Sequence, residues 1–203
     1  MKQDNIIFLD IDGVLNHQTA YHNGHCKYVK LMVGDVEDSY STFCPTSKAL
    51  LNKLIEETNA KVVISSSWRL SGEDFMQAVW KAEGMSGEII GITPYFNLEH
   101  RGKSVGSASR GEEIKWWLNN VQEYSDIFWN ADMQNGIMEK SGLRNYIIID
   151  DDSDMLYNQR EHFVHVLPSP RNYSGFSQEH YEKAKEIFSK NILELNYKDL
   201  MFQ

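Results

Sequence analysis

The chain lacks long apolar runs, a cysteine framework and a leader-like N-terminus. No apolar run approaches the roughly 18 residues that span a bilayer. Acidic residues appear too early in MKQDNIIFLDIDG for a secretory signal. Only two cysteines are present, and nothing else indicates a disulfide scaffold. We therefore expect a cytoplasmic protein in which Cys26 and Cys44 are free thiols, because disulfides are rare in the cytosol.

Positive charge is also scarce. Twenty Lys and Arg residues face 29 Asp and Glu residues, which leaves a formal net charge of −9. Because nucleic-acid affinity comes largely from neutralising phosphates, this balance argues against tight, nonspecific binding by the whole surface, although it allows a local basic groove. Apolar residues make up 41% and charged residues 24%, which is ordinary globular composition. We expect a single domain spanning residues 1–203.

Short apolar strands alternate with amphipathic helices along most of the chain. The pattern predicts strands at 5–9, 61–64, 88–92, 146–149 and 163–167, and helices at 45–58, 73–83, 110–121 and 178–189. This order is typical of an α/β fold in which helices cover both faces of a parallel sheet. Residues 17–44 and 97–109 are interpreted as polar loops, the first long enough to be a flap. No element is predicted for 123–145.

Polar clusters follow three of the predicted strands at the point where each ends. Asp10 and Asp12 follow the first strand, three serines at 65–67 follow the second, and three aspartates at 150–152 follow the fourth. In parallel sheets the site lies at the carboxyl ends of the strands, so these clusters are expected to converge. Converging carboxylates are costly without a positive charge between them. They suit Mg²⁺, which combines a few carboxylates with water and substrate phosphate.

Other residues at this edge are suited to binding phosphate. Serine hydroxyls and backbone N–H groups after Ile64 can hold a phosphate, and Arg110 brings positive charge to the start of a helix. Ser109 is predicted to cap that helix, with Glu112 completing a capping box. A carboxylate placed against phosphorus can act as a nucleophile. Each motif alone is also compatible with a turn or a cap, but together they favour phosphoryl chemistry.

The sequence resembles the haloacid dehalogenase (HAD) superfamily of phosphotransferases over residues 5–190. Four motifs carry this resemblance in order: FLDIDGVL, KVVISSS, RGEEI and YIIIDDDSD. The combination is most similar to the HAD-like domains of RNA-repair proteins of the Swiss-army-knife type, and distantly to the phosphatase half of polynucleotide kinase-phosphatase. The resemblance implies a Rossmann-like three-layer fold and a Mg²⁺-dependent phosphatase. Its implied substrate is a phosphorylated nucleic-acid end, such as a 3′-phosphate, or a nucleotide.

The resemblance also implies roles for the first two motifs. Asp10 would be the nucleophile and a Mg²⁺ ligand. Asp12 would protonate the leaving oxygen and then activate water, while its backbone carbonyl binds the metal. Ser65 would bind the phosphoryl group, with Ser66 as the alternative. Gly13 is predicted to lie against the substrate.

The later motifs receive roles in the same way. Arg110 would neutralise the phosphate and the nucleophile, with Lys115 as the weaker candidate. Asp151 would hold Mg²⁺ directly or through water, with Asp150 beside it, although which two of the three consecutive acids matter stays open. An arginine shortly after the second motif touches substrate in similar domains, and Arg69 is the residue in that place here.

The segment at 17–44 bears on the kind of substrate. It is too short for a large cap, so the site is expected to be open, which favours a polymer end or a protein, whereas the net charge favours a nucleotide or small phosphomonoester. The segment also holds a group with metal-ligand composition, formed by His17, His22, His25 and Cys26. Their spacing matches no trusted zinc pattern, so a surface or a substrate-touching flap is the preferred interpretation.

The sequence supports a different prediction for each of three tryptophans. Trp68, beside the phosphate-binding serines, is predicted to touch a base, since bases stack on aromatic rings. Trp117 lies on the apolar stripe of its helix and is assigned to the core, while Trp116 lies off that stripe and stays open.

Two other classes of function remain open. A phosphotransferase or phosphomutase acting on a small metabolite would use the same residues and differ only in its acceptor. A catalytically idle phosphate- or nucleotide-binding module would keep the fold without the chemistry, although the presence of both Asp10 and Asp12 argues against that. The sequence indicates no membrane partner and no obligate protein partner.

Overall fold

The computed structural model describes residues 4–100, 103–121, 143–167 and 175–190. The strands are β1 (Asp4–Leu9), β2 (Tyr28–Val33), β3 (Val36–Ser41), β4 (Lys61–Ile64), β5 (Ile89–Ile92), β6 (Asn97–His100), β7 (Lys103–Ser107), β8 (Leu143–Asp150) and β9 (Phe163–His165). The helices are α1 (Gln18–His22), α2 (Pro45–Thr58), α3 (Glu73–Ala82), α4 (Arg110–Asn120) and α5 (Gln178–Ser189). Short 3-10 helices span Ser67–Ser71 and Tyr157–His162.

Five parallel strands form the central sheet in the order β5-β4-β1-β8-β9. The central strand β1 is buried on both faces because its side chains alternate between two cores. Ile7 and Leu9 belong to the core on the side of α2, α3 and α5, whereas Ile6 and Phe8 pack with residues of α4. This confirms the predicted α/β fold, a parallel Rossmann-like sheet between two helical layers.

Several predicted elements have the bounds that their apolar periodicity indicates. The helices α2 and α5 and the strand β4 are confirmed at the predicted residues. The strand β8 begins at Leu143 rather than Tyr146 and ends at Asp150, so that aspartate is the last residue of the strand. The three residues 143–145 therefore belong to the sheet, while 123–142 lie outside the described residues.

Of the two interpretations of 17–44, the loop is wrong and the small flap agrees with the structure, because this segment holds α1 and an antiparallel hairpin. Val29, Leu31 and Val33 alternate along β2 and pack against the larger core. A two-residue turn joins β2 to β3, with Gly34 at φ 59°, a backbone conformation that glycine adopts without strain. The segment is thus an ordered flap without a large cap.

The predicted loop at 97–109 is likewise wrong, since β6 and β7 pair as a second antiparallel hairpin. The thiols of Cys26 and Cys44 are free, as predicted, and both residues are buried in a small cluster with Ala20. None of the helices in the described part of the chain is long and apolar enough to cross a membrane.

Candidate active site

The sheet brings three strand ends to one edge. The Asp10 N–H donates to Ile149 O at 2.9 Å, which sets the end of β1 beside the end of β8. On the other side of β1, the Ser65 N–H donates to Leu9 O at 3.0 Å. The strand β8 ends at Asp150, so all three predicted polar clusters begin at the same edge. Backbone pairing between neighbouring parallel strands therefore fixes the place of these side chains.

The edge contains a cluster of carboxylates. Asp10, Asp150 and Asp151 each offer an oxygen, and these oxygens lie within 4.8 Å of one another. Asp10 is 5% exposed and Asp150 is fully buried. Within residues 4–100, 103–121, 143–167 and 175–190 this is the one group of three or more potential metal ligands. Asp152 is exposed and lies outside the cluster.

Burial shifts the titration of these acids. It raises the pKa of Asp10 to about 8, an effect that the charge of Asp150 increases and the charge of Arg110 opposes. Burial also raises the pKa of Asp150 to about 6, again against the influence of Arg110. The Asp151 carboxyl is shifted upward by burial as well. A group of buried oxygens that is short of positive charge fits a hard divalent cation, which takes the place of the protons.

The helix α4 carries the main positive charge of the site. Ser109 caps it, as predicted, because its hydroxyl accepts the Glu112 N–H at 3.2 Å. The Arg110 N–H donates to Asp154 Oδ2 at 2.8 Å, which ties the start of α4 to the segment after β8. The next residue must be small, since a Cβ at Gly111 would lie 2.5 Å from the backbone nitrogen of Leu156.

The Arg110 guanidinium lies between two of the clustered acids. Its Nη2 is 3.6 Å from Asp10 Oδ1 and its Nε is 3.5 Å from Asp150 Oδ2. Its Nη1 is buried and has no hydrogen-bond partner among the described residues. Lys115, the weaker candidate, is exposed and pairs at 4.0 Å with Glu112. The structure thus brings Arg110, and not Lys115, to the acids.

The two predicted phosphate-binding serines differ in their hydrogen bonds. Both are fully buried. The Ser66 hydroxyl accepts the Trp68 N–H at 3.4 Å and caps the 3-10 helix at Ser67–Ser71. The Ser65 hydroxyl has no hydrogen-bond partner among the residues that the structure describes. The Ser66 hydroxyl also hydrogen-bonds the Asp10 carboxyl, so Ser65 is the serine whose hydroxyl has no partner among these residues.

Asp12 is exposed and lies apart from the three clustered acids. Its Oδ2 accepts a hydrogen bond of 3.0 Å from Trp68 Nε1. This contact joins the end of β1 to the 3-10 helix. Gly13 follows at φ 77°, and a Cβ there would lie 2.0 Å from Asp151 Oδ2. Any side chain at Gly13 would displace that carboxylate, so the glycine is required by close approach.

Arg69 is not presented to an open substrate site. It is 6% exposed, and its Nη1 donates to the carbonyls of Ser65 at 2.7 Å and Ser66 at 2.8 Å. Its Nη2 donates to Glu113 Oε2 at 2.5 Å. Arg69 therefore links residues 65–66 to Glu113 of α4. Glu113 was not identified from the sequence as the partner of Arg69. The one signal in the sequence is its position next to Ile114, on the apolar side of the helix.

The remaining candidates occupy the flap and α4. His22 and His25 are exposed, while His17 and Cys26 are buried, and these four do not form a metal-ligand group among the described residues. Trp117 packs in the core at 5.4 Å from Phe8, as predicted. Trp116 is 44% exposed and contacts the ring of Phe96.

Comparison with known proteins identifies one family. Residues 6–181 match the family described as "HAD domain in Swiss Army Knife RNA repair proteins". No curated protein matches the chain. The family match confirms the resemblance that the four motifs indicate, and it supports a HAD-type phosphatase activity.

Proposed function

The chain belongs to the HAD domains of Swiss Army Knife RNA repair proteins, and from that premise we propose that it is a Mg²⁺-dependent phosphomonoester hydrolase. One observation carries the proposal: the oxygens of Asp10, Asp150 and Asp151 lie within 4.8 Å of one another beside the Arg110 guanidinium. Mg²⁺ held by these three acids and the Asp12 carbonyl would neutralise charge on the phosphoryl oxygens.

In the first half of the reaction Asp10 is the nucleophile. One of its carboxylate oxygens attacks phosphorus, the ester P–O bond breaks, and an aspartyl-phosphate forms on Asp10. The departing oxygen takes a proton from the Asp12 carboxyl group. Asp12 is exposed at the end of β1, where a leaving group can depart into solvent.

In the second half water replaces the leaving group. The Asp12 carboxylate takes a proton from water as the water oxygen attacks phosphorus. The bond between phosphorus and Asp10 then breaks, which releases inorganic phosphate and restores both acids to their starting protonation. The 3.0 Å hydrogen bond from Trp68 Nε1 to Asp12 orients this carboxylate in the free protein.

Two unused donors are available for the phosphoryl oxygens. The Nη1 of Arg110 and the hydroxyl of Ser65 are buried without hydrogen-bond partners among the described residues. A buried donor without a partner costs free energy, so an oxyanion that accepts from it is bound favourably. Donors aimed at developing negative charge typically contribute about 10²–10³ in rate.

The substrate class that we propose is a phosphorylated nucleic-acid end, in particular a 3′-phosphate, or a nucleotide. The family description refers to RNA repair, which favours this class. The insertion next to the site is a hairpin and one short helix, which leaves room for a large substrate. The net charge of −9 keeps nucleotides in the proposal, because the surface as a whole repels a long polyanion.

The test is phosphate release in Mg²⁺ from a 3′-phosphorylated oligoribonucleotide, a 5′-phosphorylated one, mononucleotides and p-nitrophenyl phosphate, with Asp10→Asn as the blank. We expect release that prefers a nucleotide substrate, stops with EDTA and is absent in the variant. Release only after addition of an alcohol or sugar acceptor would instead indicate a phosphotransferase. Mg²⁺ binding without release from any substrate would contradict the hydrolase and favour a binding module.

A further inference from the structure

A cavity of about 280 Å³ lies between the hairpin of β2 and β3 and the 3-10 helix at Ser67–Ser71. Asp12 lines it, so the cavity begins at the group that would protonate the leaving oxygen. Its volume is close to the lower end of ligand pockets, about 300 Å³, and suits one small group rather than a polymer segment.

Nearly half of the eleven residues that line this cavity are aromatic, and the others are serines and aspartates. Five of its lining residues are aromatic: Tyr21, Tyr28, Tyr40, Trp68 and Phe75. The rings of Tyr21 and Tyr28 are within 27° of parallel, with centroids 6.3 Å apart. Tyr28 is 75% exposed, so the face of its ring is accessible to a ligand.

The charges around the cavity exclude an anionic occupant. Among the described residues that line it there is no lysine and no arginine, and its carboxylates are Asp12 and Asp38. A second phosphate would meet only negative charge there. Serine and tyrosine hydroxyls supply neutral hydrogen-bonding groups.

We propose that this cavity binds the nucleoside that carries the scissile phosphate, with its base stacked on the tyrosine rings. A base has a π-face that stacks on aromatic side chains and has neutral polar edges that hydroxyls can reach. The inference rests on the proposed function, because it assigns the leaving group of that reaction. A second cavity of about 370 Å³ also borders Asp12, but it is lined by Asp151 and by a single tyrosine, Tyr21, and lies on the side of the acid cluster.

The test compares kcat/KM for a nucleoside 3′-monophosphate with kcat/KM for glycerol 2-phosphate. We expect the wild type to prefer the nucleoside ester. Tyr28→Ala should lower this preference about tenfold, because the stacking of the base on this ring is lost. Tyr28→Phe should keep the preference, because it keeps the ring. Met32→Ala is the matched control, since Met32 is 57% exposed on the same strand and does not line the cavity. An unchanged preference in Tyr28→Ala, or none in the wild type, would overturn the inference.

A binding measurement separates this inference from the proposed reaction. Saturation-transfer NMR with adenosine should show contact with the wild type and weaker contact with Tyr28→Ala. If no ester is hydrolysed but this difference is present, the proposed reaction fails and the base pocket stands. Equal contact in both proteins, or none, would overturn the pocket. Higher kcat/KM for a 3′-phosphorylated oligonucleotide than for the mononucleotide would identify a nucleic-acid end as the source of the nucleoside, and the reverse order a free nucleotide.

Discussion

Two regions face the same candidate site but are built differently. One is the acid edge, which consists of Asp10, Asp150, Asp151 and Arg110, and the other is the hairpin at 28–41. Two of the three acids are buried at the ends of strands that share a parallel sheet. Most of the hairpin is exposed, and it joins the fold through one alternating apolar face. The positions of the acids are therefore fixed by sheet register, whereas the proposed recognition surface belongs to a hairpin outside the central sheet.

In the described part of the chain, few side-chain hydrogen bonds join the hairpin to the helices, although its apolar side chains pack against the core. Tyr40 Oη donates to Glu83 Oε1 at 3.1 Å, and Lys48 pairs with the other oxygen of Glu83 at 3.0 Å. At the acid edge, by contrast, the Arg69–Glu113 pair is almost completely buried and joins two motifs. We therefore expect substitutions at the edge to have larger effects than substitutions in the hairpin.

The largest predicted effect is on stability. Arg69→Met leaves Glu113 as a buried charge without its partner, so it should lower the free energy of unfolding by about 3–5 kcal/mol. The hairpin offers a matched pair, Lys30–Glu37, which is exposed. Lys30→Met should cost less than about 1 kcal/mol. Urea unfolding of both variants measures this contrast, and equal losses of stability would contradict the expectation that substitutions at the edge have the larger effect.

The next effect is on catalysis. Arg110→Ala removes the guanidinium between Asp10 and Asp150 and should lower kcat about 10²–10³-fold, as for other preorganised charge donors. Lys115→Ala, on the same helix, should leave kcat within about twofold, since Lys115 is exposed and points only to Glu112. Steady-state kinetics with any ester that the wild type hydrolyses measures kcat of both variants. Similar losses in both variants would remove the assignment of Arg110.

A third prediction concerns pH and the metal-free protein. The pKa of Asp10 is about 8 in the folded protein, against an ordinary value of 3.8. As pH rises, Asp10 therefore loses its proton in the unfolded chain before it does so in the folded protein. Stability should therefore fall from about pH 4 to pH 8 through this group. Asp10→Asn cannot ionise, so in EDTA its melting temperature relative to wild type should rise between these values. We expect this difference in melting temperature to increase by at least about 2–4 °C, which corresponds to roughly 1 kcal/mol of stability. A constant difference in melting temperature across this pH range would contradict the raised pKa of the buried Asp10 carboxyl.

The smallest effect concerns the residue where the two regions meet. Trp68→Phe keeps an aromatic ring beside Tyr40 and Phe43 but removes the N–H that holds Asp12. We expect kcat to fall about threefold to tenfold, which corresponds to a hydrogen bond of roughly 0.5–1.5 kcal/mol. An unchanged kcat would show that the hydrogen bond has no catalytic role.

The acid edge was predictable from sequence because each part is local. Apolar strands, the aspartates and serines that follow them, and the capped start at Arg110 are all visible in short windows. The ordering of the strands then follows from general rules for parallel sheets. Asp152 shows where prediction from sequence stops. Three consecutive aspartates are equivalent in the sequence, and only the fold shows that Asp152 is exposed and outside the acid cluster.

The hairpin and the Arg69–Glu113 pair were not predictable for a different reason. The strand β3 has the sequence VEDSYS, in which polar residues hide the strand pattern, and its pairing depends on the alternating face of β2. The partners Arg69 and Glu113 are 44 residues apart, so only the folded chain shows that the arginine is internal. The resemblance implies a substrate contact for Arg69 from its place after the second motif, and that place does not define the orientation of the side chain.

The most direct test of the central claim is whether Asp10 carries the phosphoryl group. Acid quenching after brief reaction with ³²P-labelled substrate, followed by peptide mapping, measures this in the wild type, Asp12→Asn and Asp10→Asn. We predict Mg²⁺-dependent label on the peptide that contains Asp10 and none in Asp10→Asn. With labelled p-nitrophenyl phosphate, whose leaving group departs without a proton, Asp12→Asn should carry more label than the wild type because water is no longer activated. Hydrolysis at the wild-type rate by Asp10→Asn, or label on another residue, would contradict the central claim.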